Sequence, residues 1–249
     1  MTVAARVLDA LSSRGLALAI ACALLSGCGD DPAAAKAAAA AQAAATEAEA
    51  QQAETGFNAA VHAHKWSDAV AQGDSLTRQY PGTAAAGRVA PQMEELRRKA
   101  TEASERDRLN ALWSYDDIAV KGGHQLSAAI FAKDAVDVDG SGPTQVRLIF
   151  RDHPEWKRSS YMVLERGDFD CYGGCKVMVK VDDKPAKPMA ASRPKTDEAI
   201  AMFIEDERAL WKLANTAKTI EIEFPVKHLG KRTAVFEVGG VQKGRLPGW

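Results

Sequence analysis

Near Leu109 the chain changes its hydrophobic period, and that change limits the possible folds more than any other feature. Downstream, Val146-Arg147-Leu148-Ile149-Phe150 and Lys176-Val177-Met178-Val179-Lys180-Val181 alternate apolar with polar residues. Thr219-Ile220-Glu221-Ile222-Glu223-Phe224 and Ala234-Val235-Phe236-Glu237-Val238 do the same. Period two sends successive side chains to opposite faces, so each segment reads as a half-buried strand. Asp139-Gly140-Ser141-Gly142-Pro143 and Asp182-Asp183-Lys184-Pro185 supply turns between them. One helix is expected among the strands. Thr196 would cap it, Asp197 and Glu198 would suit its positive end, and Ile200, Phe203, Ile204, Trp211 and Ala214 would line one side. Residues 110–249 therefore predict an antiparallel β-sandwich or open barrel of about seven strands with one packed helix.

Upstream of Leu109 the pattern is helical. From Glu54 to Arg108 large apolar residues recur at helical spacing: Phe57, Val61, Trp66, Val70, Leu76, Tyr80, Val89, Met93 and Leu96. Met93 to Arg108 adds Glu94–Arg98 and Glu95–Lys99 at the i,i+4 spacing that supports an exposed helix. Ala33 to Ala53 is almost all alanine, a strong helix former without a large apolar stripe. It reads as a helical or partly disordered spacer. The fold class expected for the whole is α+β.

The N-terminus carries Arg6 and Arg14 against Asp9, then an apolar run from Leu16 to Leu25, then Leu25-Ser26-Gly27-Cys28. The run is too short to cross a hydrocarbon core, which needs roughly twenty residues; it suits the core of a signal peptide. Leu-Ser-Gly-Cys resembles the lipobox of bacterial lipoproteins. The resemblance implies diacylation of the Cys28 thiol, cleavage before it and acylation of the new amino group. Several acyl chains, at about 0.8 kcal/mol per buried methylene, make a permanent anchor. In Gram-negative lipoproteins an Asp directly after the lipidated Cys favours the inner membrane, whereas here Gly29 holds that place. The resemblance therefore implies the outer membrane, with the domain facing the periplasm. The organisation expected is a signal peptide at 1–27, a lipidated Ala-rich spacer at 28–53, a helical region at 54–109 and a β-rich periplasmic domain at 110–249.

Further resemblances lie downstream. Lys65-Trp66-Ser67-Asp68-Ala69-Val70, with Leu76 and Tyr80-Pro81-Gly82, resembles the second helix and exit turn of a tetratricopeptide-like hairpin, although Gly73 stands where an aromatic is usual. Tyr80-Pro81-Gly82-Thr83 is similar to helical-repeat lipoproteins of outer-membrane assembly complexes. Trp113-Ser114-Tyr115, Gly167-Asp168-Phe169-Asp170-Cys171 and Phe236-Glu237-Val238-Gly239-Gly240 resemble β-rich modules of uncharacterised proteobacterial periplasmic lipoproteins. The same segments are similar to a type VI secretion accessory protein.

Cys22 would leave with the signal and Cys28 would take lipid, so Cys171 and Cys175 remain. They flank Tyr172-Gly173-Gly174 in a segment that reads strand, tight turn, strand, where facing residues come within disulfide range. In an oxidising periplasm they are expected to pair. So small a ring contributes about 2 kcal/mol. A redox or metal-binding role for the CxxxC spacing lacks additional Cys or His ligands nearby.

A net charge of −1 gives no field that would gather nucleic acid. His62 and His64 are two apart on a predicted helix and so cannot share a metal; His124, His153 and His228 are isolated. Asp137-Val138-Asp139-Gly140-Ser141-Gly142 opens like a calcium loop, but Leu148 stands where the bidentate Glu belongs, so a hairpin turn is the expectation. No cofactor, metal or catalytic residue is expected. Arg147, Arg151, His153, Lys157, Arg158 and Arg166 make the first half of the sheet basic. Arg147, Arg151, Lys157 and Arg158 are the candidate ligand-binding residues, while Trp156, Tyr161, Phe169 and Tyr172 are expected in core and hairpin packing. Two readings follow: a membrane-anchored, non-enzymatic component that docks an envelope protein, or a periplasmic module binding an anionic ligand, glycan or peptidoglycan fragment.

Overall fold

The structure is a computed structural model that describes residues 31–197 and 199–249. Cys28, with the rest of the export signal, and Glu198 lie outside the described residues. Helix α1 spans Pro32–His62 and α2 Trp66–Gln79; α3 (Ala84–Val89) meets α4 (Met93–Ala111) through a short 3-10 turn. The strands are β1 (Trp113–Val120), β2 (Gly123–Phe131), β3 (Val136–Asp137), β4 (Pro143–Thr144), β5 (Val146–His153) and β6 (Lys157–Leu164). Then come β7 (Cys175–Val181), β8 (Lys187–Ser192), β9 (Ala201–Ile204), helix α5 (Glu207–Ala214), β10 (Ile220–Val226) and β11 (Gly230–Phe236).

The α+β class holds. Nine strands form one antiparallel sheet in the order β1-β2-β5-β6-β9-β8-β7-β10-β11, with β3 and β4 a separate two-stranded hairpin. That is more strands than the sequence predicts, in one continuous layer that does not close into a barrel. The sheet curls enough for the Lys133 N–H, just past β2, to donate to the Val235 carbonyl of β11 at 2.7 Å. Its inner face buries Leu148, Phe150, Met162, Val179, Met202, Ile222, Phe224 and Phe236 in one cluster with Leu210, Trp211 and Ala214 of α5.

The helix expected from Thr196 is much shorter. Asp206, in a left-handed conformation, caps it by accepting the Ala209 N–H at 3.1 Å. Residues 201–204 instead form β9, which pairs with β6 and β8. Ile200, Phe203 and Ile204 fit a helical stripe, but Met202 and Ile204 are both buried and Phe203 between them faces out, which is strand periodicity. The expected hairpin at the cysteines is also absent. Cys171 lies in irregular backbone, and β7 pairs with β8 and β10. The disulfide forms nonetheless, Cα to Cα 5.1 Å, because the Gly174 N–H turns back to the Cys171 carbonyl.

Helix α1 runs unbroken across the expected division at residue 53. Asp31 caps it and Pro32 opens it, and alanine carries it onward in the exposed half. Its second half docks: Ala50, Phe57 and Ala60 are buried, and Glu47 accepts the N–H groups of Ala84 and Ala85 at the start of α3. Those bonds, the one from Ala84 above all, lower the Glu47 pKa. Gly73 is explained by packing, since a Cβ there would lie 2.3 Å from Met93 Sδ and 3.1 Å from the Phe57 ring. In α4, Arg98 pairs with Glu95 and Glu102, and Lys99 with Glu95.

The helical and sheet regions meet at the end of α4. Arg108 reaches Glu237 at 2.9 Å, and a Cβ on Gly240 would sit 2.2 Å from the Leu109 carbonyl carbon. Because that neighbour is backbone, Gly240→Ala is expected to force the two regions apart and cost about 1–3 kcal/mol in urea unfolding. An unchanged midpoint would mean that α4 does not pack on this turn.

Candidate docking face of the sheet

Alternation along β5 buries Val146, Leu148 and Phe150 and turns Arg147, Ile149 and Arg151 to the outer face. Residues in register share that face: Phe131 and Ser127 on β2, Val163, Tyr161 and Ser159 on β6, Ala201 and Phe203 on β9. The Arg147 guanidinium lies 5.3 Å from the centre of the Phe131 ring. That of Arg151 lies 5.3 Å from both Trp156 and Tyr161. Tyr161 in turn leans on Phe203 at 5.5 Å. Cation–π contacts at exposed sites contribute about 0.5–1 kcal/mol each. Two of them offset a good part of the roughly 2 kcal/mol of rotamer entropy an arginine carries. Arg151 makes two such contacts and Arg147 one, so both guanidinium groups are held against rings of this face.

Neither has a carboxylate partner among the described residues. Arg147 donates to Ser114 Oγ at 3.0 Å. Arg147 Nε, Arg151 Nε and Ser159 Oγ are shielded from water with no hydrogen-bond partner among the described residues. Asp116 occupies the same row as Ser127 and Arg151 and accepts from Ser127 Oγ at 3.2 Å, without an ion pair to Arg151. The other half of this outer face differs. There Lys180 meets Glu221 at 2.9 Å and Lys231 meets Glu223 at 2.7 Å, so cross-strand charges are matched.

Of the four candidate residues, the fold brings Arg147 and Arg151 together and separates the others. Lys157 sits in the β5–β6 turn, φ +61°, with Nζ donating to the Pro154 carbonyl. Arg158 pairs with Asp152 at 3.3 Å, in the register whose neighbours Phe150 and Ser160 are buried. Arg166 is taken by Asp139 and the Gly142 carbonyl. His153 is buried, its Nδ1 accepting the N–H groups of Glu155 and Trp156 while its ring stacks on Trp156 at 4.1 Å.

Three of the four aromatics expected in core and hairpin packing are not core. Trp156 is 61% and Tyr172 55% exposed, and Tyr161 is half-buried on the outer face; Phe169 alone of the four is core. Phe131 and Phe203 were not foreseen as part of this face. Phe131 follows a mainly small-residue run in β2, and Phe203 is hidden by the helical reading of its segment.

The remaining candidates are structural. Asp137 and Asp139 accept backbone N–H groups within the β3–β4 turn, and the bonds from Ser141 lower the Asp139 pKa. His64 lies past the end of α1 at φ +56°, edge-on to Trp66. His124 meets Asp117 at 2.6 Å on an exposed hairpin. A groove of about 410 Å³ beside α5 is lined by Val179, Met189 and Leu213 with Lys184, Lys187, Asp182 and Asp206 at its rim. Asp182 is committed there to the N–H groups of Thr219 and Lys218, which lower its pKa. Among the described residues no group of three or more His, Cys, Asp or Glu is placed to hold a metal, and no helix is long and apolar enough to cross a membrane.

No family model matches the chain, and neither the curated proteins nor the solved structures compared with it give a match.

Proposed function

We propose that this chain is a lipid-anchored, periplasm-facing component of a bacterial outer membrane that acts without catalysis, by docking an envelope protein on its sheet. The observation that carries the reading is the outer face around β5: a broad surface of half-exposed aromatic rings with two unpaired arginines, rather than a cleft with converging titratable groups. Such a surface suits contact with a macromolecule. The lipobox-like Leu25-Ser26-Gly27-Cys28 supports the anchor. The exposed half of α1 supports a spacer: the stretch before the buried Ala50 extends roughly 27 Å at 1.5 Å per residue.

Cys28→Ser removes the sulfur that would carry lipid. The variant is expected to move from the membrane pellet to the soluble fraction when cells are fractionated. Sedimentation of the variant with membranes, or recovery of the unaltered protein from cytosol, would refute the reading.

A further inference from the structure

We infer that Arg147 and Arg151 receive an extended, acidic segment of the partner, with carboxylates four residues apart on one face meeting the two guanidinium groups. The inference rests on the docking reading above and assigns the chemistry of the bound element.

Three observations carry it. First, the two arginines are ordered yet unpaired, with both Nε atoms and the adjacent Ser159 Oγ shielded from water and lacking hydrogen-bond partners. Buried donors left empty are costly, so a partner that fills them is favoured. Second, in the other half of the same face Lys180 pairs with Glu221 and Lys231 with Glu223, while Lys176 of β7 has no ion pair among the described residues. The two neighbouring unmatched guanidinium groups lie in the half that also exposes Phe131, at 50%, and Trp156. Third, positions 147 and 151 are four residues apart on one strand, about 13 Å at 3.3 Å per residue. Alternate positions of a second extended chain fall every ~6.6 Å on one face, so carboxylates at i and i+4 reach both arginines and an apolar residue at i+2 lies over Ile149.

Arginine, unlike lysine, offers a planar fork that binds a carboxylate through two parallel hydrogen bonds. Flanking apolar residues of the segment would rest on Phe131 and Trp156. A sugar is less well served. Phe131 and Tyr161 each already have a guanidinium against the ring, and Trp156 has both His153 and Arg151, so these rings are partly occupied as stacking platforms. Asp116, on the same face, repels an acidic segment and sets its limit on the β1 side.

The test uses the full-length lipidated protein in detergent and a fluorescein-labelled nonapeptide, Val-Ser-Glu-Ser-Val-Ser-Glu-Ser-Val, which puts Val and Glu on one face of an extended chain, followed by anisotropy at low salt. Saturable binding is expected, at least about tenfold weaker for the Arg147→Gln, Arg151→Gln double variant. Lys180→Gln, on the paired half of the face, is expected to bind as wild type. Raising salt to about 0.5 M is expected to abolish binding through screening. Equal affinity in the double variant, binding that survives the salt, or equal binding of the same peptide with Lys in place of Glu would overturn the inference. So would arginine-dependent binding of phosphatidylglycerol vesicles, or of polygalacturonate, in place of the peptide. Peptide binding is read on purified protein, so its failure leaves the anchor standing, and failure of the fractionation test leaves this measurement intact.

Discussion

Arg193→Met is expected to destabilise the sheet region by about 3–5 kcal/mol, because it strands a buried carboxylate. The Arg193 side chain is 1% and that of Asp168 7% exposed. One guanidinium nitrogen donates to Asp168 Oδ1 at 2.5 Å and to the Phe169 carbonyl at 2.9 Å, while the other donates to the Thr196 carbonyl at 2.5 Å. Asp168 Oδ1 also accepts the Ala199 N–H at 2.9 Å, and the Tyr172 ring lies 3.9 Å from the guanidinium. One ion pair thus ties together the segment before the disulfide and the irregular loop leading to β9. After substitution the cation left near Asp168 among the described residues is Lys227, at 3.5 Å from Oδ2 and 43% exposed, beside the Ala199 N–H. The desolvation of the carboxylate would then go nearly uncompensated. Equilibrium urea unfolding measures the loss. Arg193→Met combined with Asp168→Leu is expected to recover most of it, since an apolar pair of similar volume removes both charges. A single variant within 1 kcal/mol of wild type would show that water reaches the pair.

Phe150→Ala carries the second large effect, about 3–5 kcal/mol for a fully enclosed ring. Phe150 is 0% exposed, with Trp211 of α5 at 4.9 Å, Trp249 at 5.7 Å and Trp113 of β1 at 6.2 Å. Its ring is where the first strand, the packed helix and the last residue converge. Truncation therefore opens a cavity beneath three indoles, and tryptophan fluorescence should report the change along with the loss in unfolding free energy. Phe131→Ala, outward on the neighbouring strand, removes a ring that is half in water and is expected to change stability by about 0.5 kcal/mol or less. Similar losses at both positions would contradict the assignment of inner and outer faces.

The chain announced much of this through period alone. Val146 to Phe150, Lys176 to Val181 and Thr219 to Phe224 are strands because alternation leaves only one way to bury their apolar side chains. The same rule puts Arg147 and Arg151 on one face, but Arg158, read with them as a candidate, falls in the Asp152 register on the opposite face, across a turn. Residues 200–204 read either way from the sequence, because Ile200, Phe203 and Ile204 fit the helical period while Met202 and Ile204 fit the strand period. The choice was made by β6 and β8, whose free edges β9 fills. The cysteine pair was legible from spacing, but its surroundings were not: β7 pairs with β8 and β10 and not with the segment before Cys171.

By itself, then, the sequence determined the helical first part, the antiparallel second part, the change between them near residue 110 and the pairing of Cys171 with Cys175. These are consequences of local period and spacing, which a linear string contains. Strand order, the burial of Arg193 against Asp168 and the lack of an ion pair at Arg147 and Arg151 among the described residues were decided by tertiary structure. Whether a charge meets an opposite charge depends on which strands become neighbours. That choice is settled by packing the whole inner face at once, through contacts between residues far apart in the chain.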